Sequence, residues 1–162
     1  MAVFLRKLLG IGKLPDDVRT QVDEEGVIFL AELFVSVTLR FSGTVPGRKS
    51  LGRVVSYAGA LALTERRVLG TLSTLPRKIG RAIDRPWTAP PGTMVQATFD
   101  DEGLLLDIAD LSAVDPKFSG TLSLRYKTPL SQEILTRLPT RTLAFDVPPT
   151  FVYRAVGVPV RS

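Results

Sequence analysis

The chain has 162 residues, a net charge of +5, no cysteine and no histidine. That length suits one domain. The missing residue types exclude a disulfide framework, a Cys/His zinc site, a thiol nucleophile and an imidazole base, while carboxylate chemistry and oxygen-ligated cations stay open.

Met1 to Lys13 carries an apolar run broken by Arg6 and Lys7. It is too short and too charged to span a bilayer, and it lacks the layout of a signal peptide. At helical spacing, Phe4, Leu5 and Leu8 form an apolar face with a cationic rim, a candidate contact for a membrane or a partner. Leu14-Pro15-Asp16-Asp17 opens a second helix running to about Val22, with acids at its positive end. Residues 1–23 are therefore read as a helical N-terminal arm, and residues 24–162 as one β-rich domain.

From Val27 to Phe41 every odd position is apolar, while Glu32, Ser36, Thr38 and Arg40 are polar. Period two predicts a long strand, or two strands joined by a bend. Ser42 to Ser50 is rich in turn formers and reads as a cationic loop. Arg53 to Leu63 returns to strand, with small residues at Ser56, Ala58, Ala60 and Ala62 that leave room on one face. Thr64-Glu65-Arg66-Arg67 reads as a tight turn, its two arginine heads in water, before a partner strand ending near Leu75.

Pro76 to Arg85 reads as a loop or a single helical turn, and Pro86 to Gly92 as irregular. Met94–Phe99 and Leu104–Asp110 predict a hairpin around Asp100-Asp101-Glu102-Gly103. Ala113–Ser119 reads as a loop and Thr121–Tyr126 as a strand. Thr128-Pro129 predicts a capped helix with Leu130, Ile134, Leu135 and Leu138 on one stripe. Leu143, Phe145 and Val147 predict a strand, and Phe151–Val160 a further extended segment.

Charge is uneven. Arg40 to Arg85 holds ten basic residues against Glu65 and Asp84. A basic middle in an otherwise slightly acidic chain points to an anionic partner. Two groups of cations stand out. Arg40, Arg48, Lys49 and Arg53 surround the first loop, where the planar arginine fork suits phosphate. Lys78, Arg81 and Arg85 would share a face if their stretch were helical, with Trp87 beside them to enter a lipid interface. The bland readings are solubilising edge charge for the first group and a core tryptophan in the second. Asp100, Asp101, Glu102 and Asp107 lack the ligand spacing of a calcium loop and read as a turn.

Leu61-Ala62-Leu63-Thr64-Glu65-Arg66-Arg67, and Ser119-Gly120-Thr121-Leu122-Ser123-Leu124 before the Thr128–Leu138 helix, resemble the bacterial pleckstrin-homology-like and GRAM-like domains. The likeness covers residues 24–138. It departs from the family in its long first alternating run and in the segments after the helix. It implies a curved antiparallel sheet or partly open barrel capped by that helix. It also implies binding of phospholipid headgroups or proteins without catalysis, with early-strand loop cations on the phosphates.

The expectation is thus an α+β, β-rich, PH-like module. It would act as a non-catalytic adaptor for an anionic phospholipid surface or an unidentified protein, and would need no cofactor and no metal. The competing expectations are a carrier of a small apolar ligand in a β-barrel cavity, using the room at Ala58, Ala60 and Ala62, and an enzyme built on Glu32, Asp107 and Asp110. Nucleic acid ranks last among partners, because aromatic and basic residues do not interleave. A homo-oligomer remains open. The expected location is cytoplasmic, with peripheral attachment at the inner face of the membrane as a variant.

Overall fold

Strands β1 (Val27–Val45) and β2 (Arg48–Thr64) form one long antiparallel hairpin, which is the spine of the molecule. The computed structural model describes residues 14–74 and 78–158, without the side chains of 33, 34, 73, 74 and 78–81. The segment read as a cationic loop is hairpin: β1 runs on to Val45, and Pro46-Gly47 alone makes the turn. Proline followed by a glycine at φ 93° suits a tight reversal of this kind.

The spine is preceded by helix α1 (Asp16–Glu24). It is followed by β3 (Arg67–Thr74), β4 (Lys78–Pro86), β5 (Val95–Asp100), β6 (Gly103–Ile108), β7 (Ser119–Lys127), helix α2 (Gln132–Arg137), β8 (Thr142–Phe145) and helix α3 (Pro149–Val156). The eight strands make one sheet in the order β4-β3-β2-β1-β7-β6-β5-β8, with every neighbouring pair antiparallel.

The sheet curls strongly, into a half-barrel, and its two edges come side by side. The Arg85 guanidinium of β4 lies 5.0 Å from the centre of the Phe145 ring of β8. Trp87, just after β4, packs against Phe99 of β5 at 5.6 Å between ring centres. Side chains, not backbone pairing, join the edges among the described residues.

The inner face carries the main core: Val35, Val37, Leu39 and Phe41 of β1, Leu104, Leu106 and Ile108 of β6, and Leu122, Leu124 and Tyr126 of β7. Leu130, Leu135 and Leu138 around α2 and Val152, Ala155 and Val156 of α3 complete it. Ile134 packs against it from the rim. Phe29 and Ala31 also pack against this core and Leu30 against the other face, so the odd-position pattern holds from Phe29 onward among the described side chains. Before that, Ile28 is buried and Val27 is exposed, because a register shift between Val27 and Phe29 breaks the parity.

A second cluster lies on the other face, where Leu14, Val18 and Val22 of α1 cover Ala60, Ala62 and Leu69. The space left by the small residues is thus filled by the chain's own helix. This removes Ala60 and Ala62 as the lining of a ligand cavity. Inside the curl, the crevice between Val95, Leu106, Leu122 and Phe151 has no room for a water.

Several local expectations are corrected. The basic stretch read as loop or helix is strand β4, whose terminal Pro86 is tolerated on a sheet edge. The late segment read as extended is α3: Pro149 stands at its first turn and Gly157, at φ 81°, closes it. Helix α2 begins later than Thr128-Pro129 suggests, because Ser131 is the cap and accepts from the Ile134 N–H. Leu111–Ala113, ahead of the loop through Pro116, forms a short 3₁₀ turn capped by Asp110.

Candidate functional site: the cationic hairpin

The Thr64–Arg67 turn is structural. Thr64 is fully buried, and its hydroxyl accepts from the backbone N–H groups of Arg66 and Arg67. Arg66 is exposed, as expected. Arg67 is not: its side chain is 13% exposed and pairs with Glu25 at 3.0 Å and Asp84 at 2.9 Å. Burial works against its charge, but the Asp84 and Glu25 hydrogen bonds outweigh it and raise its pKa. This ties α1, β3 and β4 together and removes one cation from the pool available to a ligand.

Other predicted cations divide by position. Lys78, Arg81 and Arg85 lie on β4, so the shared helical face does not exist. Arg85 is at the far end of the sheet from the β1–β2 turn, engaged with Phe145 and with the Pro90 carbonyl. Trp87 is half-buried and donates its indole N–H to the Thr64 carbonyl at 2.7 Å. Phe4, Leu5 and Leu8 fall outside the described residues.

The first group behaves differently. Arg40, Arg48, Lys49 and Arg53 all sit on the β1–β2 hairpin, and among the described residues none makes an ion pair. The pleat divides them. Arg40 stands opposite Val54, and Lys49 opposite Thr44, on the outer face. Arg48 opposes buried Val45 and Arg53 opposes buried Phe41, so both face inward. An odd spacing should put these two arginines on opposite faces. A bulge prevents it: Leu51 and Gly52, the latter at φ 68°, stand together opposite Ser42 and reset the alternation. The Nε atoms of Arg48 and Arg53 are both buried without a hydrogen-bond partner.

The same bulge presents Leu51 to solvent at 91% exposure, with Val54 at 54%. Among the described residues, β3 pairs with β2 only from Ala58 to Leu63, so Arg48 to Tyr57 is an open strand edge. An apolar tip ringed by unpaired cations is the result.

Beside this tip the outer face forms an open groove of about 280 Å³. Its lining includes Arg40, Ser42, Arg53, Asp107, Thr121 and Ser123, with Val54 on the rim. Ser42 and Thr121 of this lining belong to two paired Ser-Gly-Thr triplets: Ser42 faces Thr121, Gly43 faces Gly120 and Thr44 faces Ser119. A Cβ at Gly43 would lie 2.0 Å from the Ser119 carbonyl oxygen, so the close strand approach needs glycine there. The repeated triplet was visible in the sequence. Its antiparallel pairing was not, and Ser42, Thr121, Ser123 and Asp107 therefore went unread as a group.

The carboxylates do not converge. Glu32 accepts from the Leu14 N–H at 2.8 Å and pairs with Arg19, anchoring α1. Asp110 caps the 3₁₀ turn and Asp100 holds Arg125. Among the described carboxylates, Asp107 alone lines the groove. Among the described residues, no group of three or more Asp, Glu, His or Cys could hold a metal, and no helix is long and apolar enough to cross a membrane.

Comparison with known proteins gives no match to any family model, any curated protein or any solved structure, so the arrangement stands on its own geometry.

Proposed function

We propose that the protein is a non-catalytic binding module that docks on an anionic membrane surface through the β1–β2 hairpin. The observation that carries this reading is the exposed Leu51 set among Arg40, Arg48, Lys49 and Arg53, four cations that make no ion pair among the described residues. Exposed apolar residues flanked by cations suit the boundary between headgroups and acyl chains. Each basic residue near an anionic surface contributes about 1 kcal/mol. A buried, unpaired N–H on a charged group costs free energy until an acceptor arrives, and headgroup oxygens supply one. A pleckstrin-homology-like architecture is part of the proposal: a curled antiparallel sheet with an amphipathic helix is what such a module would have.

The test is co-sedimentation with vesicles of phosphatidylglycerol in phosphatidylcholine. Binding should rise with anionic content and weaken as salt is raised. The variant Leu51→Ser/Lys49→Glu should bind at least tenfold more weakly. Equal binding to neutral vesicles, or none to anionic ones, contradicts the reading.

A further inference from the structure

The groove beside the hairpin has a charge at each end. Arg40 on β1 pairs across with Ser123 on β7, and Ser123 with Asp107 on β6, so the three stand in one row on the outer face. Two strand spacings separate Arg40 from Asp107, on the order of 10 Å between their Cα atoms. Both side chains could reach toward each other, yet among the described residues no ion pair or side-chain hydrogen bond joins them or engages either one. Hydroxyls of Ser42, Thr121 and Ser123 line the space between and beside them.

We infer that this groove binds a phosphoethanolamine headgroup: a phosphodiester at Arg40 and the Ser42 and Thr121 hydroxyls, and a primary ammonium at Asp107. The inference rests on the membrane-docking reading above and names which headgroup the site prefers.

Three features select this chemistry. Asp107 offsets one of the two arginines that line the groove, Arg40 and Arg53, so the groove carries a small positive excess beside a carboxylate, which matches a zwitterionic diester better than a doubly charged monoester. A planar guanidinium with neighbouring hydroxyls offers several donors to phosphate oxygens. The far end favours a primary amine over a quaternary one. A trimethylated nitrogen has no N–H to give a carboxylate and is held by aromatic cages. Phe41, the aromatic residue in the lining, has its ring in the core. The volume of about 280 Å³ lies near the lower end of ligand sites, in keeping with a headgroup and not a whole lipid.

The test holds phosphatidylglycerol constant in two vesicle sets and fills the remainder with phosphatidylethanolamine or phosphatidylcholine. Wild type should bind the ethanolamine set three- to tenfold more tightly. Asp107→Asn keeps the shape of the side chain and should abolish that preference while leaving phosphatidylglycerol-dependent binding intact. Arg40→Gln should weaken both. Ethanolamine lipids also loosen headgroup packing, so a preference that survives in Asp107→Asn overturns the proposal, as does no preference in wild type. If wild type binds neither set, the membrane reading has failed, and glycerophosphoethanolamine decides the groove alone. Amide shifts at Arg40, Asp107 and Ser123 on its addition, larger than with glycerophosphocholine, sustain the site for a soluble source. No shifts reject it.

Discussion

The Tyr126 hydroxyl donates to the Thr71 carbonyl at 2.9 Å, joining β7 to β3 across two intervening strands. Tyr126 is fully buried, and its ring rests where Gly59 and Gly70 carry no side chain. This single contact spans the concave side of the curl and holds its two halves at a fixed spacing. Tyr126→Phe removes the donor from a buried carbonyl and should cost about 1–2 kcal/mol in urea unfolding.

That residue also sets an alkaline limit. Burial holds the Tyr126 phenol well above its ordinary range, because the phenolate would be unsolvated. A folded-state value raised above the unfolded one of about 10 leaves its contribution intact below pH ~10 and loses it as pH rises further. Stability should therefore fall as pH rises above about 10 in wild type, and fall less in Tyr126→Phe, when unfolding curves are compared.

The two glycines under the ring differ in severity. A Cβ at Gly70 would lie 2.9 Å from the tyrosine ring, which can shift. One at Gly59 would lie 2.4 Å from the Thr71 carbonyl oxygen, which is backbone and cannot yield easily. Gly70→Ala should cost about 1–3 kcal/mol by overpacking. Gly59→Ala should cost more, and thermal melts of the two variants compare them directly.

Asp146 clamps the connection before β5. Backbone N–H groups of Thr93, then Met94, hold its carboxyl below the usual range, with Arg85 adding to the effect. A depressed carboxylate contributes stability above its unfolded value of about 3.9, and that contribution is lost as pH falls through the folded one. Acid should loosen the 87–94 segment, seen as a change in Trp87 fluorescence. Asp146→Asn should show that change already at neutral pH.

The inward arginines oppose stability to function. Their buried Nε atoms have no partner, so Arg48→Met/Arg53→Met should keep or raise stability, by up to about 1 kcal/mol, while weakening anionic-vesicle binding. Loss of stability together with binding would show that these residues serve the fold.

How much of this was legible follows from where pattern and packing coincide. Val35 to Phe41 alternate because one face is buried and the other is more open, so that part of the strand was readable, whereas Ser42 to Val45, rich in turn formers, was read as loop. Helix α1 was readable from Pro15, Asp16 and Asp17. Strand β4 was not: a register shift between Gly70 and Thr71 breaks its pairing with β3, and its charged sequence imitates a loop. Helix α3 was missed because Pro148-Pro149 reads as a breaker, while Pro149 in fact starts a helix. The four hairpin cations were identified as a group, but their division between faces depends on the extra residue at Leu51-Gly52, which no periodicity announces. The groove depended on pairing two Ser-Gly-Thr triplets more than seventy residues apart.

The most direct measurement uses the absence of cysteine in the chain. Leu51→Cys can be labelled at one position with an environment-sensitive nitrobenzoxadiazole dye. Exposed Glu65→Cys, in the turn at the other end of β2, serves as the control. Docking through the hairpin predicts a blue shift and a several-fold rise in emission from position 51 on adding phosphatidylglycerol vesicles, reversed by high salt, with position 65 unchanged. Emission at position 51 that stays constant while the protein co-sediments with those vesicles contradicts the account.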